Sequence, residues 1–202
     1  MQNDKLRLTF YEASAIEHNS NILESENWKE IIKKELSFPD IGIYNPTERE
    51  TQKTGKTVEE NIKYISNLKR SGHYKEFHDI MTHIWWGGVN DSVNRVETMT
   101  LLRSRFLIDG NSRADLNYFG DYEAVLRSDF IIAYKEKNVK TIGTICEIHI
   151  CYLFNIPVYL ILPDQTKTEA NSTLIDLVIK SGGNVFYDVN SCVKYIKEIY
   201  KI

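Results

Sequence analysis

Two acidic residues, Asp121 and Glu147, stand at predicted helix openings within Gly120 to Pro163, GDYEAVLRSDFIIAYKEKNVKTIGTICEIHICYLFNIPVYLILP. A carboxylate at the mouth of a pocket can attack an electrophilic carbon or balance positive charge that develops there. A second can bind or help protonate the group that leaves. Glu12, near the end of an earlier apolar run, is a third candidate. Other chemistries lack their residues. His149 and Cys151 are two apart on a helix and do not share a face, which argues against zinc. His73, His78 and His83 are spaced five apart, which is not a ligand spacing on a helix. The chain has no H-x-E with P-C-x-x-C, no G-x-G-x-x-G and no Walker A loop.

The elements that must position the two carboxylates are short. Phe130 to Tyr134 and Pro157 to Leu162 are β-branched or aromatic runs too short for helices. Between them Ile145, Ile148, Tyr152 and Leu153 recur at helical spacing, opened by Gly143-Thr144 and closed near Asn155. A further helix, Tyr122 to Arg127, leads into the first run. Strand, helix, strand in this order is a right-handed parallel crossover. Helices in such a sheet start at the carboxyl edge of the strands, where ligands bind. Asp121 and Glu147 are therefore expected on one edge.

The remaining pattern extends the same architecture. Leu6 to Ala13 reads as a first strand with Phe10, Tyr11 and Glu12 near its carboxyl end. Glu24 to Leu36 is an amphipathic helix with Trp28 on its core face, and Ile41 to Tyr44 is a short strand that Asn45-Pro46 ends. Thr47 to Lys56 is polar and reads as a solvated connector. Thr57-x-x-Glu60 has capping-box spacing ahead of a helix that runs to about Leu68. Ser71 to Asp115 holds Trp85, Trp86 and a helix from Val93 to Phe106, and reads as a helical insertion. Glu169 to Lys180, Asn184 to Asp188 and Ser191 to Ile199 give helix, strand and helix. The expected fold is one α/β domain over 1–202. It is a flavodoxin-like three-layer sandwich with a mostly parallel five-stranded sheet and helices inserted at about 71–115.

Bulk properties exclude several classes. At 202 residues, with 42% hydrophobic and 26% charged residues, the chain is an ordinary globular sequence. A formal charge of −3 gives no case for a nucleic-acid polymer as partner. No run approaches the roughly 18 to 20 apolar residues of a membrane span. The N-terminus lacks a signal-peptide core. Cys146, Cys151 and Cys192 show no disulfide framework, so a reducing cytoplasm is the simplest compartment.

The arrangement Asp121, seven residues, Asp129-Phe-Ile-Ile-Ala, a loop, Gly143-Thr144-Ile-Cys-Glu147-Ile148, then Ile156-Pro157-Val158 resembles the nucleoside 2-deoxyribosyltransferase family, which includes related deoxynucleotide N-hydrolases. The strongest match covers about a quarter of the chain. The resemblance implies that Glu147 is the nucleophile toward the sugar C1′ and that Asp121 binds and helps protonate the base. It implies substrate contacts from Phe10 or Tyr11, Gly143 and Thr144, and Glu12 and Thr141 are further substrate-binding candidates of this chain's own. It also implies that Asn171 contacts the substrate's sugar 5′-hydroxyl from a neighbouring subunit, which requires a homo-oligomer. No cofactor or metal is implied, and the partner is a small nucleoside or nucleotide.

Plainer readings stand beside these. Thr144-x-x-Glu147 is also a capping box, Asp121 can cap the Tyr122 helix, and Asn171 can cap the helix that follows it. Two departures from the family pattern bear on substrate. Thr141 stands where the family carries an Asp, and the glycine that follows the first strand is missing. The leading expectation is deoxyribosyl transfer between bases. The alternatives are an N-hydrolase of a nucleoside 5′-monophosphate, with Ser14, Arg95, Arg103 and Arg105 as phosphate candidates, and a non-catalytic nucleotide sensor. Trp85 or Trp86 is a candidate for stacking on a base.

Overall fold

The computed structural model describes residues 4–14, 22–49, 55–87, 94–117, 120–137, 139, 142–163 and 165–202. Five strands, β1 (Leu8–Ser14), β2 (Ile41–Tyr44), β3 (Phe130–Tyr134), β4 (Val158–Ile161) and β5 (Asn184–Phe186), form one sheet. Their order is β2-β1-β3-β4-β5, and every pairing is parallel. The helices are α1 (Ile22–Leu36), α2 (Val58–Arg70), α3 (Tyr74–Trp86), α4 (Arg95–Asp109), α5 (Asp121–Leu126), α6 (Ile142–Leu153), α7 (Ser172–Lys180) and α8 (Val189–Tyr200). A 3₁₀ turn covers Arg113–Leu116. This is the flavodoxin-like sandwich the sequence predicts, with a sheet that is parallel throughout. No helix among the described residues is long and apolar enough to cross a membrane.

Side-chain alternation along each strand divides the core in two. Phe10, Phe130, Ile132, Tyr159 and Ile161 meet Trp28, Ile32 and Leu36 of α1 and Ile196 of α8. Tyr11, Ala13, Ile131, Ala133, Val158 and Leu160 meet α5, α6 and α7. Helices cover both faces, which is why the strands read as nearly unbroken apolar runs.

Local chemistry sets most boundaries. Thr57 and Glu60 form the reciprocal capping box expected of them. Asn155 takes a left-handed φ of 51° directly after α6, where a helix commonly stops. One segment differs from expectation. Residues 46–49 make a helical turn, and Thr47 and Arg49 within it are buried. Asn45 caps that turn, accepting from the amides of Thr47 at 3.0 Å and Glu48 at 3.3 Å. Pro46 supplies the first helical position, where a missing N–H costs nothing.

Candidate active site

Tyr11 points from β1 into the α5–α6 layer. Its hydroxyl donates a 2.7 Å hydrogen bond to Glu147 Oε1. Glu147 is not the acid of a capping box. α6 begins at Ile142, so Glu147 is one turn further along, and its carboxylate is held by the neighbouring strand instead of its own amides. Thr144 Oγ1 is buried and makes no hydrogen bond. Gly143 lies in the same first turn, half-buried.

Burial dominates the electrostatics. Loss of water pushes the Glu147 carboxyl up to about 7, while the Tyr11 hydrogen bond and the charge of Lys29 both pull it down. Lys29 is buried on α1 and donates to Thr47 Oγ1 at 2.8 Å. Glu147 is therefore poised between acid and carboxylate near neutral pH, a setting that suits a reacting group.

Asp121 is the first residue of α5, with Gly120 at the N-cap position. Its Oδ1 pairs with Arg49 Nη1 at 3.0 Å, and both side chains are under a tenth exposed. The same Arg49 nitrogen donates to the Ile84 carbonyl at 3.2 Å. The helical turn at 46–49 thus ties α1 through Thr47 and α5 through Arg49. A buried pair of this kind fixes its members because either charge alone would be costly.

Tyr122 follows Asp121 on α5. Burial pushes its phenol up, and the nearby carboxylates of Glu147 and Asp121 add to that. Trp85 stacks on Tyr122 with ring centroids 5.9 Å apart, and Trp86 meets the same ring edge-on at 4.8 Å. Gly120 permits this approach. A Cβ there would lie 2.5 Å from the Trp85 carbonyl oxygen and the Gly87 nitrogen. Both tryptophans thus have aromatic partners within the fold.

Other predicted site residues are placed elsewhere. Phe10 faces the opposite layer, stacked on Phe130 at 5.2 Å, so of the two aromatic candidates only Tyr11 reaches Glu147. Glu12, also on that face, is buried and lines a cavity of ≈ 70 Å³ with Lys29, Lys33 and Asn45. Asn171 caps α7, accepting from the Leu174 amide at 3.0 Å. Thr141 lies outside the described residues. Asp129 accepts from the Thr9 amide at 2.7 Å. Among the phosphate candidates, Arg103 donates to the carbonyls of Leu126 and Ser128 at 3.1 and 2.8 Å, and Arg105 is exposed. Arg95 lies over the Trp86 ring at 5.1 Å, and Ser14 ends β1.

Arg49, Lys29 and Tyr122 were missed in the sequence. Asn45-Pro46 signals a helix start just ahead of Arg49 and could have found it. Nothing local distinguishes Lys29 from the exposed lysines of α1.

No protein-family model matches the sequence, and no curated protein is similar to it at a significant level. Among solved structures, a conserved protein from Enterococcus faecalis V583 superposes with a TM-score of 0.52 at 16% identity, over 95% of this chain and 98% of that one. A 2-deoxyribosyltransferase from Bacillus psychrosaccharolyticus gives a TM-score of 0.47 at 16% identity, over 95% of each chain. At this identity the first likeness is one of fold. Function has to be argued from the site.

Proposed function

We propose that the protein cleaves the N-glycosidic bond of a deoxynucleoside and transfers the deoxyribosyl group to another base through Glu147. The observation that carries this reading is the Tyr11–Glu147 hydrogen bond, which holds the carboxylate off its own helix. In its ionised form Glu147 attacks C1′. The C1′–N bond breaks, its electron pair stays on the base nitrogen, and that nitrogen takes a proton from water as the base leaves. Asp121, steadied by Arg49, binds the base and assists that protonation. A second base then attacks C1′ through its ring nitrogen, gives up that nitrogen's proton to water and releases Glu147 as carboxylate. The motif resemblance from Asp121 to Val158 supports the same assignment, and it carries the expectation of a homo-oligomer with it. Transfer to water instead of a base would make the enzyme a hydrolase.

The test is incubation with a panel of deoxynucleosides and their 5′-monophosphates, with and without a second free base, followed by chromatography. Base exchange is the expected result, abolished by Glu147→Gln. Free sugar or sugar phosphate without exchange would make hydrolysis the reaction. Wild type that releases no base from any panel member, yet binds one of them, would overturn the proposal in favour of a sensor.

A further inference from the structure

α2 and α3 pack together and are joined by a turn in which Gly72 takes a left-handed φ of 74°. They do not close on one another. Between them lies a cavity of ≈ 380 Å³, within the size range of small-molecule sites. Ile65, Ile80 and Ile84 give it an apolar floor, Tyr64 a flat aromatic wall, and Glu76 and Asp79 a rim of acceptors. Neither Tyr11, Asp121 nor Glu147 lines it.

Three features specify an occupant. The Tyr64 ring is held in place, because its hydroxyl donates to Glu76 Oε1 at 2.5 Å. Its face already holds a cation, with Lys56 Nζ 4.5 Å from the centroid. The helix above it is under-covered, since no side chain of α3 is buried despite Phe77, Ile80, Met81 and Ile84. A planar ring slid between Tyr64 and the isoleucines would complete that burial. Amino groups on its edge would meet the carboxylates of Asp79 and Glu76, the latter already holding Tyr64, beside Lys56, Asn61 and His83 of the same lining.

We propose that this cavity binds a planar heteroaromatic amine of nucleobase size at a site separate from the carboxylate pair. The inference rests on the cavity itself and stands whether or not Glu147 is a nucleophile. An occupant touching Ile84 would also sit on the residue whose carbonyl Arg49 grips, one contact from Asp121.

Calorimetric titration with adenine tests it, with hypoxanthine, which carries a carbonyl in place of the exocyclic amine, as the control. Wild type is expected to bind adenine at least about tenfold more tightly than hypoxanthine. Ile80→Trp, which fills the cavity, should weaken adenine binding by about tenfold or more. Tyr64→Ala, a change at a partly exposed position, should do the same and guards against misfolding of the first variant. No adenine binding by wild type, or equal binding by wild type, Tyr64→Ala and Ile80→Trp, overturns the proposal. Loss in Asp121→Asn with retention in Tyr64→Ala would also overturn it, and would place the base at the carboxylate site instead.

Discussion

Tyr11 and Glu147, 136 residues apart in the chain, meet in a 2.7 Å hydrogen bond between strand β1 and helix α6. The bond favours the ionised carboxylate, while burial favours the acid, and the balance falls at about 7. A nucleophilic Glu147 works only when ionised. In the wild type, kcat/KM should therefore rise with pH up to about 7 and then level. Tyr11→Phe removes a donor to a charged group, worth about 1.5 kcal/mol, so the acid limb should move up by about one pH unit. The check is a pH–rate profile of both proteins. A limb that stays in place would show that the hydroxyl does not hold the carboxylate.

The same balance has a cost in stability. The folded carboxyl sits above its ordinary 4.5, so the native state keeps a proton that the unfolded chain releases between about 4.5 and 7. Stability contributed by this group is complete below that window and falls as pH rises through it, by about 3 kcal/mol in all. Glu147→Gln removes the ionisation. The variant should be inactive, match wild type near pH 5, and exceed it near pH 8 by about 2–3 kcal/mol. Urea unfolding at the two pH values measures this, and identical pH dependence in both proteins would refute it.

Much of this was legible in the sequence. Phe130 to Tyr134 and Pro157 to Leu162 announced parallel strands because helices bury both of their faces, and the helix openings at Asp121, ahead of the first strand, and near Glu147, between the two, were readable from the pattern. The choice between Phe10 and Tyr11 was not legible for the same reason. β1 is buried on both sides, so hydrophobicity could not say which ring faced α6. On spacing alone Glu147 read as a cap because its role depends on where α6 starts, and Gly143 obscured a start at Ile142. Arg49 was hidden by polar neighbours, although Asn45-Pro46 carried the signal for the turn that buries it.

Arg49 and Asp121 form an ion pair with almost no access to water. Removing only the cation leaves a buried charge behind, so Arg49→Met should destabilise by about 3–5 kcal/mol. Adding Asp121→Leu should recover much of that loss, making the double variant more stable than the sum of the singles. Asp121→Asn, which keeps size and shape, should lower kcat about 100-fold or more if Asp121 helps protonate the base. Chemical unfolding of the four proteins of the cycle tests the first part. Strict additivity would mean that the pair is not coupled.

Gly120 is required for space, since its φ of −138° is open to any residue. The tight partners are backbone atoms of Trp85 and Gly87, which cannot swing aside as a side-chain tip would. Gly120→Ala must therefore push the end of α3 away from α5. That displaces the Ile84 carbonyl from Arg49 and loosens Trp85 and Trp86 on Tyr122. The expected loss is about 1–3 kcal/mol, the usual consequence of forcing a methyl group into a packed contact. It should come with a weaker near-ultraviolet circular dichroism signal from the tryptophans and a fall in activity at unchanged far-ultraviolet signal. An alanine variant with native stability and an unaltered near-ultraviolet spectrum would show that α3 does not bear on Asp121 through this contact.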